Sequence, residues 1–328
     1  MNGDIQKEAR VIRTMGKLHA IWLDGRALEA FPGGRLELSS RGLKNRVAVG
    51  DRVEVRPQKD GTALIETVLE RDCKLSRRIT FTGREHVVAA NIHETAIMLG
   101  PNPQVNTGIL DRYLTACHAA GIPAAIVVNK MDLLDRQSVL ELLAPYKTLG
   151  YPVFLMSAKE RRGLSAFRKH ISGKWCLLAG HSGVGKTTLV NDLVPDAGLQ
   201  VGEVSGVSGK GRHTTSSATA LHLDEDTVVI DTAGIREFAL WGLGWRDVEA
   251  AFPEIRRAAL GCRFPGCRHD SEPDCAVVAA CERGEIAGGR YESFRILAEE
   301  AEEFARRDRL NSREGRRPVP GARERPDE

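Results

Sequence analysis

Residues 175–188 read WCLLAGHSGVGKTT: an apolar strand, a loop of the form Gly180-x4-Gly185-Lys186-Thr187, and the start of a helix, TLVNDL. No other stretch restricts the fold as tightly, because such a loop works only where a strand of a mostly parallel sheet hands over to a helix N-terminus. The backbone N–H groups from Gly180 through His181, Ser182, Gly183, Val184 and Gly185 can then wrap phosphate oxygens, with Thr187 and Thr188 opening the helix. Lys186 can reach the β and γ oxygens, and the Thr187 hydroxyl can ligate Mg²⁺. The ligand implied is a nucleotide.

Which base it carries is decided elsewhere. In AAIVVNKMD the run Asn129-Lys130-Met131-Asp132 closes a buried strand, where ligands sit in open α/β sheets. The Asp132 carboxylate can accept from the ring N–H and the exocyclic amine of guanine, groups that adenine does not present in the same places. Lys130 can lay its stem over the base, and Asn129 can tie this loop to the phosphate loop. At the end of VFLMSAKE, Ser157-Ala158-Lys159 resembles the GTPase loop whose backbone amide meets the guanine oxygen. Downstream, TVVIDTAG places Asp231 to hold Mg²⁺ through water and the Gly234 amide to sense a γ-phosphate. Between them VSGVSGKGRHTTSS has the composition of a switch loop, with Thr215, or else Thr214, as the residue that would close over Mg²⁺. Ile235 stands where related enzymes carry the glutamine that orients the attacking water, so intrinsic hydrolysis should be slow. The base-reading motifs precede the phosphate loop, an order circularly permuted relative to Ras-like GTPases.

The flanks are of different kinds. Before about Leu69, short alternating segments (HAIWL, RLELSS, DRVEVR, ALIETVLE) broken by Asp24-Gly25, Gly50-Asp51 and Asp60-Gly61 predict roughly five strands in a small OB-type barrel, with an SH3-like barrel as the alternative. After Trp245 the pattern is helical, interrupted by CRFPGCRHDSEPDC. There Cys262, Cys267, His269 and Cys275 suit one closed tetrahedral Zn²⁺ site, leaving Cys281 spare. The expected layout is multidomain: a barrel over 1–80, a permuted α/β P-loop GTPase domain over 81–245, an α-helical zinc-binding domain over 246–310 and a disordered basic tail over 311–328. The net charge of +3 identifies no nucleic-acid binder, and no apolar run reaches the roughly 18 residues that span a bilayer. A cytoplasmic protein without membrane contact is expected. Lys74, Arg77 and Arg78, at the end of the barrel, could meet RNA phosphates.

In this order, from the barrel through NKMD, SAK, GHSGVGKTT, GKGRHTT, DTAG and the Cys/His cluster, the chain resembles the ribosome small-subunit-dependent GTPase A family (RsgA, also called YjeQ). The resemblance implies a GTP phosphohydrolase acting late in 30S subunit maturation, stimulated by the 30S subunit, contacting 16S rRNA and working as a monomer. It also implies that His213, with Thr215 and Lys186, serves hydrolysis. The competing readings are a permuted GTPase of the large subunit and a GTP-gated RNA-binding protein with negligible turnover.

Overall fold

The computed structural model describes residues 6–34, 36, 47–79, 83–101, 104–194, 218–232 and 238–313, with side chains to residue 307. Strands β1 (Lys7–Met15), β2 (Leu18–Leu23), β3 (Arg26–Pro32), β4 (Arg52–Pro57) and β5 (Ala63–Val68) close into a barrel in the order β1-β2-β3-β5-β4-β1. Val11, Ile21, Ala30, Val53, Val55 and Ile65 alternate inward and fill it. The β2–β3 hairpin turns on Asp24 and Gly25, both at positive φ (51° and 78°), as a two-residue turn between right-twisted strands requires. The five-stranded closed barrel is the OB-type expectation, with its strands shifted. The first lies ahead of Gly16, and the third is RALEAFP; most of RLELSS falls outside the described residues.

A hairpin of β6 (Lys74–Arg78) and β7 (Glu85–Ala90) leads into the α/β domain. There Lys74 pairs with Glu85 at 2.7 Å, and Arg78 lies 5.0 Å from the Phe304 ring centre and 3.8 Å from Glu300. Lys74 and Arg78 thus have intramolecular partners, with the Lys74 side chain still 47% exposed.

The α/β domain runs β8 (Glu94–Leu99), α1 (Thr107–Ala119), β9 (Ala124–Val128), a 3₁₀ turn (Met131–Leu133), α2 (Arg136–Leu142), α3 (Ala144–Thr148), β10 (Val153–Leu155), α4 (Leu164–His170), β11 (Trp175–Ala179), α5 (Lys186–Leu193), β12 (Ala218–His222) and β13 (Val228–Thr232). Its strands lie in the order β10-β9-β8-β11-β13-β12, all parallel except β12. β8, β11 and β13 are buried along their whole length, which is why consecutive apolar residues run through AIML, WCLLA and VVI.

Four helices follow: α6 (Trp245–Ala250), α7 (Pro253–Ala259), α8 (Ala276–Glu282) and α9 (Gly288–Arg313). Phe252, Val277, Phe294 and Leu297 join the same apolar core as Leu110 and Tyr113 of α1, so this module is packed onto the α/β domain as one body of apolar contacts. α9 continues past Asn311 to Arg313, slightly further than the expected start of the tail. No helix among the described residues is long and apolar enough to cross a membrane.

Candidate functional site

The parallel strands β8, β9, β10, β11 and β13 bring their C-terminal ends to one edge, and the motif residues collect there. The phosphate loop connects β11 to α5. Its bends need glycine: Gly180 sits at φ 143° and Gly185 at φ 93°, and a Cβ would strike the Met98 carbonyl at the first and the Asn129 amide at the second. Val184 is buried, Ser182 and Gly183 are exposed, and Thr187 and Thr188 are half-buried in the first turn of α5. His181 turns its Nδ1 to the Ser182 carbonyl at 2.7 Å.

Asn129, only 2% exposed, holds the three loops together. Its Nδ2 donates to the Val184 carbonyl of the phosphate loop at 2.9 Å, and its Oδ1 accepts from the Ala158 N–H at 2.9 Å. The adjacent Lys130 adopts φ 61°, which turns the chain into the 3₁₀ segment carrying Met131 and Asp132. Met131 donates its N–H to the Met156 carbonyl at 3.1 Å. Ser157 Oγ donates to Asp132 Oδ1 at 2.6 Å, while Lys159 stays exposed. That hydrogen bond, with Lys159 and Arg162 nearby, holds the Asp132 carboxyl below the usual carboxylate range.

At the phosphate end Lys186 is 6% exposed, and its Nζ donates to the Gly180 and His181 carbonyls at 2.7 and 3.0 Å. Burial lowers its pKa, and Asp231 opposes that shift. Asp231, also 6% exposed, is pushed up to about 6 by burial, against the pull of Lys186 and the Thr232 N–H. Its Oδ1 is buried without a hydrogen-bond partner among the described residues. A buried, unpaired carboxylate oxygen beside a phosphate loop fits the ligand sphere of a hydrated divalent cation. The Thr232 hydroxyl donates to the Leu178 carbonyl at 3.0 Å and ties β13 to β11. His213, Thr214, Thr215, Gly234 and Ile235 lie outside the described residues.

A second cluster lies between α7 and α8. The ligand atoms of Cys262, Cys267, His269 and Cys275 all fall within 4.8 Å of one another. His269 Nδ1 stands 3.5 Å from both Cys262 Sγ and Cys275 Sγ, and those sulfurs are 3.9 Å apart. A tetrahedral ion with bonds of about 2.3 Å to sulfur and 2.0 Å to nitrogen sets edges of about 3.8 and 3.5 Å, so the donors fit such an ion. Cys281 is outside the cluster. Two supports of the cluster were not foreseen from sequence. Glu249 of α6 meets His269 Nε2 at 3.1 Å, and Tyr291 of α9 donates its hydroxyl to the His269 carbonyl at 2.7 Å. Orienting partners of this kind fix which imidazole nitrogen faces a metal, but residues so far apart in the chain carry no local signal.

The family model described as RsgA GTPase matches residues 68–241. A protein of Alcanivorax borkumensis named small ribosomal subunit biogenesis GTPase RsgA is 38% identical over 270 residues, 81% of this chain and 76% of its own. A Bacteroides thetaiotaomicron protein named small ribosomal subunit biogenesis GTPase RsgA 2 is 34% identical over 299 residues, 89% of this chain and 96% of its own. The crystal structure of YjeQ from Thermotoga maritima superposes with a TM-score of 0.69 at 27% identity, covering 90% of this chain and 99% of that one.

Proposed function

Because this chain belongs to the RsgA GTPase family, we propose that it hydrolyses GTP to GDP and phosphate in the late maturation of the small ribosomal subunit, with the 30S subunit as its activator. The observation that carries this reading is Asn129. One buried amide bonds both the phosphate loop and the Ser157-Ala158 loop, so Asp132 and Lys186 serve opposite ends of one guanine nucleotide.

In this scheme Asp132 selects guanine, Lys130 covers the base and the Ala158 amide meets its oxygen. Gly180 to Thr188 cradle the phosphates, and Lys186 neutralises charge developing on the β and γ oxygens. Thr187 and Asp231 take the Mg²⁺ side, joined by Thr215, and the Gly234 amide senses the γ-phosphate. With Ile235 unable to orient water, His213 takes that role once the partner orders its loop. Cys262, Cys267, His269 and Cys275 hold one structural Zn²⁺, which would cross-link the segment between α7 and α8. Contact with 16S rRNA is assigned to the barrel, and the protein is taken to be a cytoplasmic monomer.

GTP turnover with and without purified 30S subunits tests the assignment. Stimulation by 30S is expected, and His213→Ala should reduce it at least tenfold while leaving GDP affinity unchanged. Stimulation by 50S alone would move the protein to the other subunit, and turnover that neither subunit raises would make it a GTP-gated binder.

A further inference from the structure

The barrel is not hung from the GTPase domain on a linker, because β1 belongs to both. It pairs with β2 and β4 to close the barrel, and it also pairs antiparallel with β12, the outer strand of the GTPase sheet. The register of β1 against β2 shifts between Val11 and Arg13, as a bulge does, so neighbouring side chains serve different cores. Val11 packs inside the barrel and Ile12 inside the GTPase core.

Beyond that bulge one rung of the sheet runs straight to the nucleotide site. Arg13 of β1 is opposite Thr219 of β12, Thr219 is opposite Asp231 of β13, and Asp231 is opposite Leu178 of β11, two residues before Gly180. The other end of the contact is fastened by rings. Trp22 of β2 stacks on His222 of β12 at 4.3 Å and 28°, and His222 meets Trp175 of β11 edge-on at 6.1 Å. The Arg10 guanidinium of β1 lies 3.4 Å from the centre of the Trp175 ring and bonds the Asn91 carbonyl.

β1 meets β12 at one residue pair, Arg13 opposite Thr219, and the Trp22–His222 stack and the Arg10–Trp175 contact reinforce it. β12 in turn is locked to β13, the strand that carries Asp231, by a five-pair ladder that cannot slip by one residue without turning its side chains to the wrong face.

We propose that β1 and β2 are the input by which 30S docking reaches the GTPase centre, with the Trp22–His222 stack as the positioning contact. This rests on the small-subunit reading above. Coupling is reciprocal, so the nucleotide must alter 30S affinity by the factor with which 30S alters nucleotide affinity.

Two quantities test it: the ratio of 30S affinities with a non-hydrolysable GTP analogue and with GDP, and the ratio of 30S-stimulated to unstimulated turnover. In Trp22→Ala both should fall about tenfold, while GDP affinity and unstimulated turnover stay unchanged; Trp22→Phe should restore both ratios. His222→Ala, which removes the same contact from the GTPase side, should match Trp22→Ala, with the double variant no worse than either. Unchanged ratios in both alanine variants would overturn the proposal, as would a loss that Trp22→Phe fails to recover. A wild-type protein that 30S does not stimulate would instead overturn the functional reading, and that result is seen before any variant is made.

Discussion

Ser157 fixes the rotamer of Asp132 and favours its charged form by donating a hydrogen bond to it. Its hydroxyl sits 2.6 Å from Oδ1, and the Asp132 pKa is lowered chiefly by that bond. A carboxylate with a depressed pKa keeps its ionised contribution above the ordinary value and loses it only as pH falls through the lower one. Ser157→Ala should therefore weaken GDP about tenfold at pH 7, the loss of roughly one charged hydrogen bond, and should move the acid limb of GDP binding to higher pH. Titration of fluorescent GDP from about pH 7 down to about pH 3, taken at steps of about half a unit, checks both effects. Asp231 has the opposite sign. Burial raises it to about 6, so its protonated form is favoured in the folded chain, and that advantage is lost as pH rises through about 6. In nucleotide- and Mg²⁺-free protein, Asp231→Asn should raise the melting temperature at pH 8 by an amount worth about 3 kcal/mol. The gain should shrink as pH falls below 6. The same variant should lose at least a hundredfold in GTP turnover, because a site that destabilises the empty protein is the site the cation needs. A pH-independent gain in melting temperature would refute the assignment of a strained carboxylate there.

Among the elements, α1 and α9 are joined by a buried guanidinium. Arg290, 2% exposed, bonds Asp111 of α1 at 2.6 Å and Glu254 of α7 at 2.7 Å, and lies 4.2 Å from the centre of the Phe252 ring. Tyr146 of α3 donates to the same Asp111 oxygen at 2.7 Å. Arg290→Met would leave the buried Asp111 and the partly buried Glu254 without their cation, at a cost of about 3–5 kcal/mol. The triple change Arg290→Met, Asp111→Asn, Glu254→Gln should recover at least half of that, measured by urea unfolding. No residue pattern announces this network, since Asp111 and Arg290 stand 179 residues apart. The contrast with the phosphate loop is physical. Gly180, Gly185, Lys186 and the strand before them must be contiguous to work, so they are legible together, whereas ion pairs between helices need only meet in space. Strand β1 was missed for another reason. Lys7, Glu8, Arg10 and Arg13 break its apolar pattern because they lie outside the barrel interior that Ala9 and Val11 fill, with Lys7 and Glu8 exposed.

At the scale of the molecule, the α/β domain and the C-terminal helices share one core, and Ile12 of the barrel strand β1 reaches into it. Cys267 and Cys275, the cluster's two buried sulfurs, pack in the same apolar cluster as Tyr113 and Trp175 of the GTPase domain and Ile12 of β1. The Cys/His pattern made the ion legible from sequence, but its reach into the rest of the fold was not, because the contacts that extend it come from α1, α6 and α9. A structural zinc contributes its binding energy to folding, and here the shared core carries the effect beyond the segment that binds it. Removal of the metal by a strong chelator, or Cys275→Ser, should accordingly shift a single cooperative unfolding transition down by about 10 °C or more. GDP binding should disappear along that same curve. Two resolved transitions, with the GDP-binding one unmoved, would mean instead that the helices α6 to α9 fold on their own and that the continuity of the core carries no energy.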